Sequence, residues 1–300
     1  MQPRRQSWIV GLGLSCAILW AFWTTIVEMG ERWSGDPQYS HGYLVPLFSL
    51  YLLWARRAIV KDGFDAPSWW GVGILLAGLG IRFGGVYFFY GFFDAISLLV
   101  CLAGLALVVG GRRAFHWSWP AILFLGFMVP LPYRLQNALG GVLQRIATKL
   151  STYALQTLGA PAVSEGNIIL INDVRIGVVE ACNGLGMLVT FFAISTAIAM
   201  LLKSGWWRRV VLIIGAIPVA IMANVVRITV TGLLYAASQN EAAQVVFHDV
   251  AGWLMMPLAV LFIFLELYVL DRLIVDRDPS NQRGPVGFLP ANAAAQPAAH

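Results

Sequence analysis

VVLIIGAIPVAIMANVVRITVTGLLY, residues 210–235, is an apolar run with one charge, Arg227. As an α-helix its 26 residues would reach about 39 Å, more than the roughly 30 Å of a bilayer's hydrocarbon core. It reads as a membrane span. Working outward, similar runs flank it on both sides. Leu185 to Leu202 precedes it and ends at Lys203 and Trp206-Trp-Arg-Arg209. Val250 to about Leu270 follows it and ends at Asp271-Arg272.

Five more runs lie toward the N-terminus. Trp8 to Val27 is preceded by Arg4 and Arg5. No A-x-A-like cleavage site follows it and further spans do, so it reads as a retained helix. A polar, turn-rich segment from Glu28 to Ser40 comes next. The second span, about Gly42 to Ala55, is short and returns to Arg56, Arg57 and Lys61. The third runs from Trp69 to about Tyr90, is rich in glycine and carries Arg82. The fourth, Phe92 to Val109, ends at Arg112-Arg113, and the fifth covers Trp117 to Leu131. The expected fold class is therefore an all-α integral membrane protein of about eight transmembrane helices.

Composition agrees. The 300 residues are 59% hydrophobic and 12% charged, with a mean hydropathy of +0.73, whereas soluble domains are about 25% charged. An ordinary soluble protein is excluded, and so is disorder of the main body. The three cysteines lie in three separate segments, which gives neither a disulfide framework nor a metal-ligand spacing. No H-E-x-x-H pattern occurs, so no metal or cofactor is called for. The net charge of +5 reads as a topology signal rather than as affinity for nucleic acid.

One stretch differs in kind. Leu135, Leu139, Val142, Ile146, Leu150, Tyr153 and Leu158 recur at helical spacing, with Arg134, Gln136, Gln144, Arg145 and Lys149 mainly between them. That pattern predicts a helix lying in the interface plane, stopped by Gly159-Ala-Pro161. Asn167–Ile171 and Val174–Val179 flank Asn172-Asp173 and read as a short β-hairpin leading almost directly into Cys182. Residues 1–275 then form one polytopic domain, and 276–300, rich in Pro, Gly, Ala and Asn, a disordered cytoplasmic tail.

Eight spans with both ends inside place thirteen of the 20 Lys/Arg on the cytoplasmic side and five (Arg32, Arg134, Arg145, Lys149, Arg175) outside. This division follows the positive-inside rule. Arg82 and Arg227 remain within or at the edge of spans. An arginine there costs at least about 2.5–3.5 kcal/mol, so it faces a cavity or partner, or snorkels to the interface. For Arg227 the cavity or partner reading is favoured over snorkelling, and for Arg82 both readings stand. Cys16 and Cys101 fall mid-span, as packing cysteines do. Cys182 precedes a span at its outer end, where a helix N-terminus would favour thiolate; a small apolar residue at a helix start is the plainer reading. His41 and His248 reach the same outer level, whereas His116 is cytoplasmic and His300 ends the tail. A thiol, an imidazole and a fixed cation at one depth would make a thiol acyl-transfer site. The pairs Gly11/Gly13 and Gly71/Gly73 suit close helix packing, with no phosphate-loop lysine beside them.

Glu180-Ala-Cys-Asn-Gly184, Asn224-Val-Val-Arg227, Phe247-His-Asp249 and Tyr39-Ser-His-Gly-Tyr-Leu-Val-Pro46, followed by Tyr51-Leu-Leu-Trp54 and Arg56-Arg57, together resemble the exosortases of the exosortase/archaeosortase group. The likeness runs over about residues 8–272. It implies a cysteine peptidase/transpeptidase of the bacterial inner membrane, with its site on the periplasmic face and no cofactor. It further implies secreted partner proteins carrying a C-terminal PEP-CTERM-type signal and a transmembrane helix, and a link to exopolysaccharide and biofilm matrix. The implied roles are Cys182 as nucleophile, Arg227 as oxyanion stabiliser and His248 as proton donor, with Asn183, Asn224, Asp249 and His41 supporting. Many members have serine or another small residue where this chain has Asn183. The competing class is a non-enzymatic component of exopolysaccharide assembly or export. A transporter is disfavoured by the scarcity of charge within spans and the lack of internal repeats.

Overall fold

The computed structural model describes residues 2–171, 174–177, 184–202, 204–237, 257–258 and 260–272. In chain order it contains α1 (Gln2–Ala21), α2 (Trp23–Gly35), a 3₁₀ segment (Pro37–Tyr43), α3 (Leu44–Ala55), a short 3₁₀ turn (Arg57–Val60), α4 (Trp70–Tyr87) and α5 (Gly91–Phe124). A 3₁₀ segment (Leu125–Met128), α6 (Tyr133–Thr157), β1 (Ala162–Glu165), β2 (Ile168–Ile171), β3 (Val174–Gly177), α7 (Gly184–Leu201) and α8 (Trp206–Ala237) follow. Residues 260–272 are also helical. The expected tail, 276–300, lies outside the described residues.

Among the described residues, four helical stretches are long and apolar enough to cross a membrane: Trp70–Tyr87, Gly91–Met128, Gly184–Leu201 and Trp206–Leu234. The pair Gly11–Ala21 and Trp23–Gly35, bent by 61° at Phe22, makes a fifth if it is one span. The first helical run thus continues to Gly35, through the segment expected to be an external turn. Helix α3, at 12 residues, is only about 18 Å long.

The 38 residues of Gly91–Met128 would reach about 57 Å if straight, and they are not straight. Gly110 (φ −136°, ψ 18°) and Gly111 (φ 61°, ψ −154°) leave helical geometry, the second in a region that only glycine enters readily. A methyl built on Gly126 would stand 3.8 Å from Leu99 Cδ1, although a straight helix would separate these positions by about 40 Å. The chain therefore folds back at the glycine pair. Its two limbs cover residues read from the sequence as the fourth and fifth spans, but the described residues give four or five candidate spans, not the eight expected. Asp65 fastens the turn: its carboxylate accepts from Arg113 N at 3.0 Å and pairs with the Arg113 guanidinium at 3.3 Å. Arg56 donates to the His116 and Trp117 carbonyls nearby, at 3.0 and 3.3 Å.

Helix α4 packs on α5 through Gly71, Gly78 and Gly85, its buried residues. A methyl at Gly71 would lie 2.7 Å from Val108 N, at Gly78 2.6 Å from Cys101 Sγ, and at Gly85 2.8 Å from Asp94 N. Small residues every seven positions let the two backbones meet. Gly71 thus serves the packing role expected of it, whereas a side chain at Gly73 or Gly13 would meet open space.

The chain divides into two compact units: described residues up to Ile146 with Gly184–Ala193, and those from Ala147 to Gly177 with Ile194 onward. Helix α6 is the amphipathic helix expected. Its stripe Leu135, Leu139, Val142, Ile146, Leu150, Tyr153 is exposed, while Gly140, Ala147, Thr148, Ser151, Thr152 and Leu155 are buried. An apolar stripe turned away from the protein suits a helix resting on a bilayer surface. Gly159, at φ 88°, ends it: Gly159 N donates to Gln156 O and Ala160 N to Leu155 O, both at 3.0 Å. In the second unit, β2 and β3 form the expected hairpin, pairing Ile168 with Gly177 and Ile171 with Val174. Asn172 and Asp173 lie outside the described residues. Strand β1 adds a third, antiparallel strand, pairing Ala162 with Ile171.

Candidate functional site

In the first unit, polar side chains gather around the 3₁₀ segment Pro37–Tyr43. Asp36 starts the segment, its carboxylate accepting from Gln38 N at 2.9 Å. Beyond α5, the chain passes through the 3₁₀ segment and leaves helical geometry at Val129, extended at ψ 120°. Its backbone groups need partners elsewhere. Trp33 Nε1 donates to the Met128 carbonyl at 3.0 Å, Leu131 N donates to Tyr39 Oη at 3.3 Å, and His41 Nε2 lies 3.2 Å from the Phe127 carbonyl oxygen. Gln136 Nε2 of α6 donates to Gln38 Oε1 at 3.2 Å.

The same segment touches the first turns of α7. Thr190 Oγ1 lies 3.3 Å from His41 Nδ1, and a methyl on Gly186 would stand 3.0 Å from Gln38 Cα. Burial pushes the His41 imidazole below its ordinary pKa, outweighing the bonds to the Phe127 and Gln38 backbone that favour the charged ring. Burial also pushes the Tyr39 phenol up. Both are therefore neutral at pH 7.

Arg82 has a partner. Its Nε lies 3.5 Å from Asp94 Oδ1, its guanidinium sits 4.0 Å from the centre of the Phe22 ring, and Thr25 donates to the other Asp94 oxygen. This cluster holds the break between α1 and α2. It makes Arg82 a half-buried, paired arginine rather than a snorkelling one. Cys101 packs against Gly78 in the α4–α5 seam, and Cys16 is exposed on α1.

The second unit holds Arg227 and Asn224, about one turn apart on α8 and so neighbours on one face. Asn224 is 3% exposed and its Oδ1 is buried with no hydrogen-bond partner among the described residues; Arg227 is half-buried. The surrounding stretch is the most tightly packed part of the helix, with Ala223, Ile228, Thr231 and Gly232 buried. Ser151 of α6 donates to the Val225 carbonyl at 3.4 Å. A methyl on Gly232 would stand 3.2 Å from both Leu155 and Ile171. Of the other expected site residues, Cys182, Asn183, His248 and Asp249 lie outside the described residues.

The sequence profile of the transmembrane exosortase family matches residues 33–265, well over half of the chain. The chain belongs to this family. No curated protein and no solved structure matches it. The family match begins at Trp33, so it takes in the 3₁₀ segment and its His41 but not α1. It also spans Cys182, Arg227 and His248. His41, Asn224 and Arg227 stand out in the sequence of this exosortase-family chain. Thr190, Thr25 and Asp94 do not. A hydroxyl or a lone carboxylate near a span carries no periodic signal, and only the folded contacts reveal its partner.

Proposed function

We propose that this exosortase-family protein is a membrane-embedded cysteine peptidase/transpeptidase. Its substrates are secreted proteins with a C-terminal PEP-CTERM-type signal and transmembrane helix, cleaved at the periplasmic face of the bacterial inner membrane. The observation that carries the reading is the family match across residues 33–265, which includes Glu180-Ala-Cys-Asn-Gly184, Asn224-Val-Val-Arg227 and Phe247-His-Asp249. Further support comes from α8, where Arg227 is held in a packed stretch beside the buried Asn224. Eight spans, with the N- and C-termini cytoplasmic, complete the proposal.

In the proposed reaction the Cys182 thiolate attacks the scissile carbonyl and forms a C–S bond. Arg227 holds the oxyanion that develops. The C–N bond then breaks while His248 gives a proton to the leaving amine. Water or an acceptor amine resolves the thioester and returns the thiol. Asn183, Asn224, Asp249 and His41 orient these groups. The protein is polytopic because its substrate is itself anchored by a helix, which must dock laterally.

The test is Cys182→Ala in cells expressing a PEP-CTERM-type substrate, read by immunoblot. Full-length substrate should accumulate while the variant inserts normally, and Cys16→Ala and Cys101→Ala should process as the unaltered protein does. Complete processing by Cys182→Ala would favour the non-enzymatic role in exopolysaccharide assembly.

A further inference from the structure

We propose that His41 and Thr190 form a positioning couple that fixes the first turns of α7, the helix that starts two residues after Cys182 in the chain. The proposal rests on the cysteine-enzyme reading above and deepens it: His41 acts through Thr190 rather than by carrying a proton.

The assignment begins with the ring nitrogens. His41 Nε2 faces the Phe127 carbonyl oxygen at 3.2 Å. A carbonyl only accepts, so Nε2 carries hydrogen. In the neutral ring Nδ1 is then without hydrogen and faces the Thr190 hydroxyl at 3.3 Å, while the bond to the Gln38 backbone, like that to Phe127, favours the charged ring and is outweighed by burial. The same hydroxyl lies 2.8 Å from the Gly186 carbonyl oxygen, one turn earlier on α7. It has one hydrogen and two acceptors. The hydroxyl donates to Gly186 O at 2.8 Å and shares that hydrogen with Nδ1 of a neutral His41 at 3.3 Å; a charged His41 would instead donate from Nδ1 to the hydroxyl oxygen. His41 is 8% exposed, and its burial favours the neutral ring. A general base needs a nitrogen open to its substrate. Here both nitrogens are already engaged by the protein.

The couple is one of two clamps on the same face of α7. Gly186 and Thr190 are four residues apart, hence stacked one turn over the other. At Gly186 the helix backbone meets Gln38, whose Oε1 is held by Gln136. At Thr190 it meets His41, whose far side is tied to Phe127. The first described turns of α7, and with them the direction of its dipole, are thereby set from the 3₁₀ segment. Thiolate reactivity near a helix N-terminus depends on that setting.

The experiment measures the alkylation rate of Cys182 by a small, membrane-impermeant thiol reagent. It uses isolated membranes carrying the full chain with Cys16→Ala and Cys101→Ala, alongside substrate processing and membrane level. Thr190→Val removes the hydroxyl at constant shape, and Thr190→Ser keeps it. His41→Gln keeps one donor and one acceptor without a titrating ring, and His41→Ala keeps neither. Thr190→Val and His41→Ala should slow alkylation about tenfold, the equivalent of a lost hydrogen bond, while Thr190→Ser and His41→Gln stay within about twofold. An unchanged rate in Thr190→Val would overturn the couple, and this isosteric variant decides the matter even if His41→Ala fails to insert. Loss of processing in His41→Gln at a normal alkylation rate would overturn it in favour of proton transfer by His41. Normal processing by Cys182→Ala would instead sink the cysteine-enzyme reading, whatever the alkylation rates show.

Discussion

Arg227 separates two physical roles that a charge within a span can have. Lysine preserves charge, so Arg227→Lys would suffice if the residue only attracted anionic groups. An oxyanion needs planar donors at a fixed place, which a flexible ammonium reproduces poorly. Arg227→Lys should therefore be nearly as damaging as Arg227→Ala, each losing about 10²–10³ in acylation rate, or roughly 2.7–4 kcal/mol. The check is single-turnover acylation at matched membrane levels. His41 makes a second prediction at this scale. Its pKa is lowered by burial, so the unfolded chain binds the proton more readily than the native one. Its contribution to stability is complete above the ordinary imidazole value, about 6.5, and is lost as pH falls through the lowered native value. Tyr39, 6.4 Å away, is the ionisable ring beside it. Neither residues 125–131 nor the first ten residues of α7 carry an ionisable group. His41→Gln should flatten the acid limb of thermal stability against pH. Arg227 and His41 were legible in the sequence because each is an unusual residue for its place. Thr190 was not, since a threonine within an apolar helix is ordinary until its neighbour is known.

Elements were legible where their signal was periodic or punctuated. Helix α6 follows its apolar stripe and stops at Gly159, and the β2–β3 hairpin follows its alternation around residues 172–173. Strand β1, Ala162-Val-Ser-Glu165, escaped because four residues with no clear alternation depend on pairing with β2. The break at Phe22 escaped because it has no proline or glycine. It is held instead by Arg82, Asp94 and Thr25, a tertiary cluster. Removing one member leaves a half-buried charge unpaired, so Asp94→Leu should destabilise, by less than the roughly 3–5 kcal/mol of a fully buried pair. The double variant Arg82→Leu/Asp94→Leu should be closer to the unaltered protein in thermal melting. The α4–α5 seam makes a parallel prediction. Gly78→Val intrudes on Cys101 and should destabilise by about 1–3 kcal/mol, whereas Gly73→Ala and Gly80→Ala face open space and should not.

At the scale of the molecule, composition and repeated apolar runs sufficed to read a polytopic membrane protein, and the family match agrees. Orientation rests on the Lys/Arg bias, for which the clustering of Arg56 and Arg113 at one turn of the first unit supplies local support. Reporter fusions at Gly63, Gly111, Ser204 and Pro279 should read cytoplasmic and a fusion at Asp173 periplasmic; a cytoplasmic signal at Asp173 would place the proposed site on the wrong side. The central claim is chemical, namely that Cys182 carries the substrate as a thioester. Its most direct test is mass spectrometry of the protein quenched during turnover of a PEP-CTERM-type substrate. An acyl adduct on the peptide containing Cys182, released by neutral hydroxylamine and lost in Arg227→Ala, is the expected result. Substrate cleaved at an undiminished rate by Cys182→Ala, with no adduct on that peptide in the unaltered protein, would contradict it.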